Sequence, residues 1–198
     1  MGKPALILAS QSPRRRDILS LMLIPFETVE VVTNETLDTS KSIEENVTRI
    51  ALEKAEAAKV FLPDQGRNSI ILAADTVVTK GNRILGKPEG FEEAFGMLKS
   101  LQNRSHRVYT GFVLVYGDKT HTECVSTTVE FEPMSDNEIK RYILSEKPYD
   151  KAGAYGIQDP LIACHVRRIE GCYYNVVGLP ISRVCKSLKT FYQHQPHG

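Results

Sequence analysis

The chain has 198 residues, 41% of them hydrophobic and 25% charged, with a formal net charge of +1 and a mean hydropathy of −0.24. That length suits one sizeable domain, or one domain with two lobes, of an ordinary soluble globular kind. A near-zero charge provides no basic field for a nucleic-acid polymer, and 8% aromatic content without Trp leaves no stacking face for structured RNA. Cys124, Cys164, Cys172 and Cys185 show no C-x-x-C spacing and are expected to be reduced, mostly buried thiols. No apolar run approaches the roughly 20 residues that span a bilayer. The start is too short in its apolar part for a secretory signal, and Leu6 stands where N-myristoylation needs Ser or Thr. A cytoplasmic protein without membrane association is expected.

Ala5–Ala9 reads as a short buried strand. Ser12 followed by Pro13 marks a helix start, with Ile18, Leu19, Met22 and Leu23 at helical spacing behind it. Strand, hydroxyl-rich turn, helix N-terminus and Arg14-Arg15-Arg16 together make an anion site or, alternatively, a solvated arginine cluster, the role expected at least for Arg16. No glycines and no Gly-Lys-Ser/Thr are present, so this is not a Walker A loop. Phe26–Thr33 alternates as a second strand, closed by Asn34 and Glu35. A capping box at Ser42–Glu45 precedes a long helix whose apolar stripe holds Ile43, Val47, Ile50, Ala57 and Phe61. Lys54 falls in the middle of that stripe. Its ammonium either snorkels to the rim or points into a cleft.

A loop over 61–69 leads to the apolar run Ser69–Val78, of the kind buried on both faces of a sheet. Asp75 sits inside it. A buried carboxylate costs several kcal/mol, roughly the effective penalty for an ion, unless cations compensate. Asp75 is therefore either a strand-end cap or a group matched by positive charge from elsewhere, and Lys54 is a candidate partner. A hairpin turn at Lys80–Arg83 precedes Gly86-Lys87-Pro88, where Pro88 holds Lys87 extended and would bring it beside Asp75 if the hairpin folds back. Phe91–Leu101 is an amphipathic helix, His106–Tyr116 and Thr122–Phe131 form a hairpin, and Ser135–Glu138 starts a capped helix. Pro148–Pro160 is a long polar loop carrying Lys151 and Gln158, of the kind that tends to be functional. Cys164–Glu170 and Cys172–Tyr174 read as a hairpin about Gly171, Asn175–Pro180 as a turn into the last helix, and the tail beyond Tyr192 as frayed. The succession is mixed α/β, neither Rossmann nor TIM, and no G-x-G-x-x-G occurs.

The oddly placed polar residues are Ser10, Arg14, Arg15, Glu35, Lys54, Asp75, Lys87, Lys151 and Gln158. Cations outnumber acids among them, which suits a small, highly charged anion with one divalent metal on Glu35 and Asp75. No Cys or His belongs to the group, which disfavours acyl-transfer triads and zinc chemistry. Water attack on a phosphoryl centre fits best, with Lys and Arg neutralising charge on the leaving phosphate.

Ser10-Gln-Ser-Pro-Arg-Arg15, Glu35, Leu52-Glu-Lys-Ala55, Ala74-Asp-Thr76, Gly86-Lys-Pro88, Thr110-Gly111, Asp150-Lys-Ala-Gly-Ala-Tyr-Gly-Ile-Gln158 and Asn175-Val-Val-Gly-Leu-Pro180 together resemble the Maf family of nucleotide pyrophosphatases. The blocks run in order over about the whole chain. The resemblance implies one Maf-like domain over residues 1–198, with a curved mixed sheet flanked by helices and two lobes about a central cleft, as in the ITPase-like folds. It implies hydrolysis of a nucleoside triphosphate to the monophosphate and pyrophosphate, assisted by Mg or Mn, in a homodimer. It further implies Asp75 as proton acceptor, with Ser10, Arg15, Glu35, Lys54, Lys87 and Lys151 handling phosphate and metal. Arg14, Thr76 and Gln158 resemble the branch that takes dTTP and UTP, and the Gln158 amide complements the O4 and N3–H edge of a pyrimidine. Asp159 stands where the family generally has glycine, and Cys164 in a segment usually richer in glycine. The other reading from the sequence is a non-catalytic nucleotide-binding regulator of cell division.

Overall fold

A computed structural model describes residues 4–62 and 68–193. The chain runs β1 (Ala5–Ala9), α1 (Pro13–Ser20), β2 (Glu27–Val29), α2 (Ile43–Phe61), β3 (Ser69–Lys80), β4 (Arg83–Leu85), α3 (Phe91–Leu101), β5 (Ser105–Tyr116), β6 (Lys119–Phe131) and α4 (Asp136–Glu146). A 3-10 turn at Ala152–Ala154 follows, then α5 (Pro160–Ala163), β7 (Val166–Glu170), α6 (Tyr173–Val177) and α7 (Ile181–Gln193). The strands form one open mixed sheet of seven, ordered β2-β1-β3-β5-β6-β7, with β4 on β3. Among the described residues no helix is long and apolar enough to cross a membrane. The expected loop falls largely on residues 63–67 and the expected frayed tail on 194–198, both outside the described residues.

Two compact units divide the chain. The first takes the residues up to Asp75, Thr110–Val125 and those from Gly178 on; the second takes Thr76–Tyr109 and Ser126–Val177. In the first, β1 runs parallel to β2 and to β3, with Ile7 opposite Glu27 and Ala9 opposite Val29 and Ala73. β2 pairs over Glu27–Val29 only, shorter than the expected Phe26–Thr33, because β1 leaves the sheet after Ala9 and offers no further edge. Val31 is buried nonetheless. The Ser42 capping box forms as expected and launches α2.

One face of α2 is small: Ala51, Ala55 and Ala58 pack on Ile7 and Ala9 of β1, Ile71 and Ala73 of β3, and Val113 and Val115 of β5. Alanines let the helix axis approach the sheet; the expected Ala57 is partly buried against this cluster, whereas the stripe stops short of the expected Phe61. Phe61 is exposed, whereas Val47, Ile50 and Lys54 are buried as read. Gly111 marks the closest approach. A Cβ there would lie 2.6 Å from the Val47 carbonyl carbon and 2.7 Å from the Thr48 nitrogen, both helix backbone that cannot move aside alone.

In the second unit β4 folds back on β3 through Gly81, whose φ of 56° suits glycine. Ser135 completes its capping box and starts α4. His106 is buried, its Nε2 2.7 Å from the Tyr155 hydroxyl and its ring 4.9 Å from that of Phe131. The expected hairpin about Gly171 is corrected: β7 instead pairs antiparallel with β6, and Tyr173–Val177 is helical. Asn175 explains the change. Its buried Nδ2 donates to the Val108 carbonyl and to Thr127 Oγ1, each at 3.0 Å, drawing the chain inward where a strand would continue outward. The cysteines are free as expected, but three are only partly buried and Cys164 is exposed.

Gly111→Ala should lower stability by about 1–3 kcal/mol, the cost typical of overpacking, read as a lower urea midpoint at unchanged m-value. Burial, with a smaller push from Lys80, lowers the His106 pKa from 6.5 to about 4. The unfolded chain therefore takes up that proton first. Its share of stability is fully present above pH 6.5 and is lost as pH falls towards 4, about 3 kcal/mol in all. His106→Gln should flatten that part of the stability–pH curve.

Candidate functional site

Parallel strands present their carboxyl ends together, and in open α/β sheets that is where ligands bind. Here β2 and β1 end ahead of the Glu35 segment and the Ser10–Arg15 turn, and Asp75 lies within β3 two residues past Ala73, where its pairing with β1 stops. Alternation along β3 places Ile71, Ala73 and Asp75 on the face that α2 covers. Lys54, one turn along α2 from Ala51 and Ile50, reaches that same face. Its Nζ donates to Asp75 Oδ1 at 2.7 Å and pairs with Glu35 Oε1 at 2.8 Å. Lys54 and Asp75 are 6% and 7% exposed, so the pair is desolvated, while the Glu35 side chain keeps 39% exposure. Of the two sequence readings of Asp75, the matched acid is therefore the correct one, and Lys54 points inward.

On the neighbouring turn the Ser12 cap forms as the sequence reads. Ser12 caps α1, its hydroxyl accepting from the Arg15 amide at 3.5 Å, and the Ser12 amide donates to Ser10 Oγ at 3.2 Å. Arg15 Nη1 also donates to Ser10 Oγ, at 3.4 Å, and Nε donates to the Gly178 carbonyl at 2.8 Å, which fixes the guanidinium from two sides. Burial lowers the Arg15 pKa, Asp75 and then Glu35 raise it again, and Arg14 opposes them. The guanidinium thus shares the field of the two carboxylates. Arg14 is half-buried on α1, and Arg16 is exposed, as its expected solvated role requires.

The remaining predicted residues belong to the second unit. Thr76, half-buried, follows Asp75 directly in β3. Lys87 lies exposed on its turn, and that turn is tied to the 150–160 loop by a 3.0 Å hydrogen bond from the Gly153 amide to the Gly86 carbonyl. Lys151 keeps 12% side-chain exposure, with Nζ 3.5 Å from Asp159 Oδ2 and 3.7 Å from Asp150 Oδ1. Gln158 is exposed.

The sequence reading missed the groups that hold the Glu35 segment. Asn46, 1% exposed, accepts from the Asp38 amide at 2.7 Å and donates to the Asp38 and Ser42 carbonyls at 2.8 and 3.0 Å. Arg49 Nη2 donates to the Thr36 carbonyl at 2.7 Å. An asparagine one turn into a helix, where its side chain competes with the backbone, was the available signal.

Glu35 and Asp75, gathered on one ammonium, present hard oxygen donors. No group of three or more His, Cys, Asp or Glu residues arranged for a metal exists among the described residues. Two carboxylates without a complete protein cage fit Mg, which commonly takes its other ligands from water and substrate phosphates.

A mixed α/β sheet with a buried acid–base cluster and an arginine-rich helix start at its parallel carboxyl ends defines a protein equipped for a small polyanion. A family model described as Maf-like protein matches residues 5–191, and the chain belongs to the Maf family. A relative from Pelodictyon phaeoclathratiforme named dTTP/UTP pyrophosphatase is 80% identical over 96% of this chain and 100% of its own length. One of the same name from Chlorobium luteolum is 54% identical over 96% of this chain and 98% of its own. The solved Staphylococcus aureus Ham1 protein aligns with 64% of this chain and 71% of its own at 15% identity and a TM-score of 0.40.

Lys54→Met leaves Asp75 buried without its counter-charge and should cost about 3–5 kcal/mol in urea unfolding. Adding Asp75→Asn should recover much of that loss, since the stranded charge is then gone.

Proposed function

We propose that this protein hydrolyses dTTP and UTP, and modified pyrimidine triphosphates of the same shape, to the monophosphate and pyrophosphate. The observation that carries the reading is the Asp75–Lys54–Glu35 cluster, a desolvated acid held by a cation beside a fixed arginine. The names of the close relatives point to the same reaction.

Lys54 engages Oδ1 of Asp75 and so fixes the carboxylate, leaving Oδ2 to accept the proton of the attacking water. Ser10, Arg15, Lys87 and Lys151 bind the phosphates, and the cations among them offset the charge that builds on the departing pyrophosphate. Glu35 and Asp75 would hold a divalent cation, Mg or Mn, which when bound neutralises phosphate charge. Arg14, Thr76 and Gln158 select the base, the Gln158 amide pairing with the O4 and N3–H edge. Residues 1–198 act as one functional domain, in the cytoplasm and as a homodimer, on the ground of the family resemblance. A non-catalytic division regulator is the reading that no observation favours.

Purified protein with Mg and each triphosphate in turn, assayed for pyrophosphate, should show turnover of dTTP and UTP well above the purine nucleotides. Equal rates would remove the base assignment. Asp75→Asn should lower kcat by about 10²–10⁴-fold, the range for a lost general base, while nucleotide binding persists.

A further inference from the structure

Gln158 sits third in a four-residue turn, Gly156 to Asp159, closed by a 3.0 Å hydrogen bond from the Asp159 amide to the Gly156 carbonyl. Both ends of this turn are held by one side chain of α4. The Gly156 amide donates to the Tyr142 hydroxyl oxygen at 3.0 Å, and that hydroxyl donates to Asp159 Oδ2 at 2.6 Å. Tyr142 is 2% exposed, so its hydroxyl is fixed by the packing of α4. Asp159 occupies the N-cap position of α5, yet its side chain makes no cap bond to that helix and turns to Tyr142 instead. Gly156 leaves the carboxylate room to lie there, since a Cβ on it would be 2.6 Å from the same Oδ2 and would push the Asp159 side chain aside. That oxygen also faces Lys151 Nζ at 3.5 Å.

We propose that Tyr142 and Asp159 form a clasp that sets the direction of Gln158 and thereby the preference for pyrimidine over purine triphosphates. The inference rests on the function proposed above, in which Gln158 reads the base. Gln158 is itself exposed and lies on a short turn, so without the clasp nothing in the turn's own closing bond fixes where its amide points. Tyr142 and Asp159 are positioning residues: they act through the turn and touch no reacting atom.

The test is the ratio of kcat/KM for dTTP to that for dGTP in wild type, Tyr142→Phe, Asp159→Ala, Asp159→Asn and Gln158→Ala. Tyr142→Phe removes one oxygen and Asp159→Ala removes the acceptor, and each should lower the ratio about tenfold or more, as misplacement of a positioning group does. Asp159→Asn keeps an acceptor for the Tyr142 hydroxyl and should retain most of the ratio, an outcome that loss of charge or of general stability would not give. If Tyr142→Phe and Asp159→Ala keep the wild-type ratio while Gln158→Ala loses it, the clasp is overturned and the proposed function stands. Should wild type itself show no dTTP preference, the proposed function fails and takes the inference with it. Should Asp159→Ala not fold, Tyr142→Phe decides alone, since it leaves the buried ring in place.

Discussion

The ammonium of Lys54 lies between two carboxylates, and the rest of the site is arranged around that contact. Buried ions cost several kcal/mol each after relaxation, and a close pair recovers this only with good geometry and further hydrogen bonds. Contacts of 2.7 and 2.8 Å to Asp75 and Glu35 satisfy two of the three Nζ donors. One cation against two acids leaves an excess of negative charge, which the fixed guanidinium of Arg15 offsets in part. Three segments that meet only in the folded chain must therefore be placed together: the Glu35 segment, α2 and the middle of β3.

The packing that places them is chosen for closeness. Ala51, Ala55 and Ala58 line α2 where it crosses the sheet, and Gly111 removes the last obstacle on β5. A bulkier helix face would lift α2 and carry Lys54 away from Asp75, so the alanine stripe serves the Lys54–Asp75 contact as much as the core. Asn46 and Arg49 extend the same logic to the loop, fastening its backbone to the helix that already carries the lysine. In the second unit a buried tyrosine plays the corresponding part for the turn that bears Gln158. In each case a polar group on a rigid helix fixes an irregular segment that could not fix itself.

Local physics was legible in the chain. Ser12, Ser42 and Ser135 announce helix starts, and all three cap as read. The apolar run around Asp75 declares a buried strand, and Lys54 declares itself as a cation on a core-facing stripe. That Asp75 and Lys54 would need each other follows from the cost of burial alone. Less legible were the end of β2, set by where β1 leaves the sheet, and the fate of Cys172–Val177, where Asn175 overrides a strand-like pattern by hydrogen bonding inward.

Composition, capping residues and hydrophobic period by themselves determined the class of fold, the order of most elements and the set of polar residues that demand explanation. These are properties of neighbours in the chain, and neighbours carry them. Tertiary structure alone decided that Lys54 bridges two acids, that Arg15 is anchored on Gly178, and that Asp159 belongs to Tyr142 and not to its own helix. Those pairings join residues 21, 163 and 17 positions apart, and their distances exist only once helices have packed on the sheet.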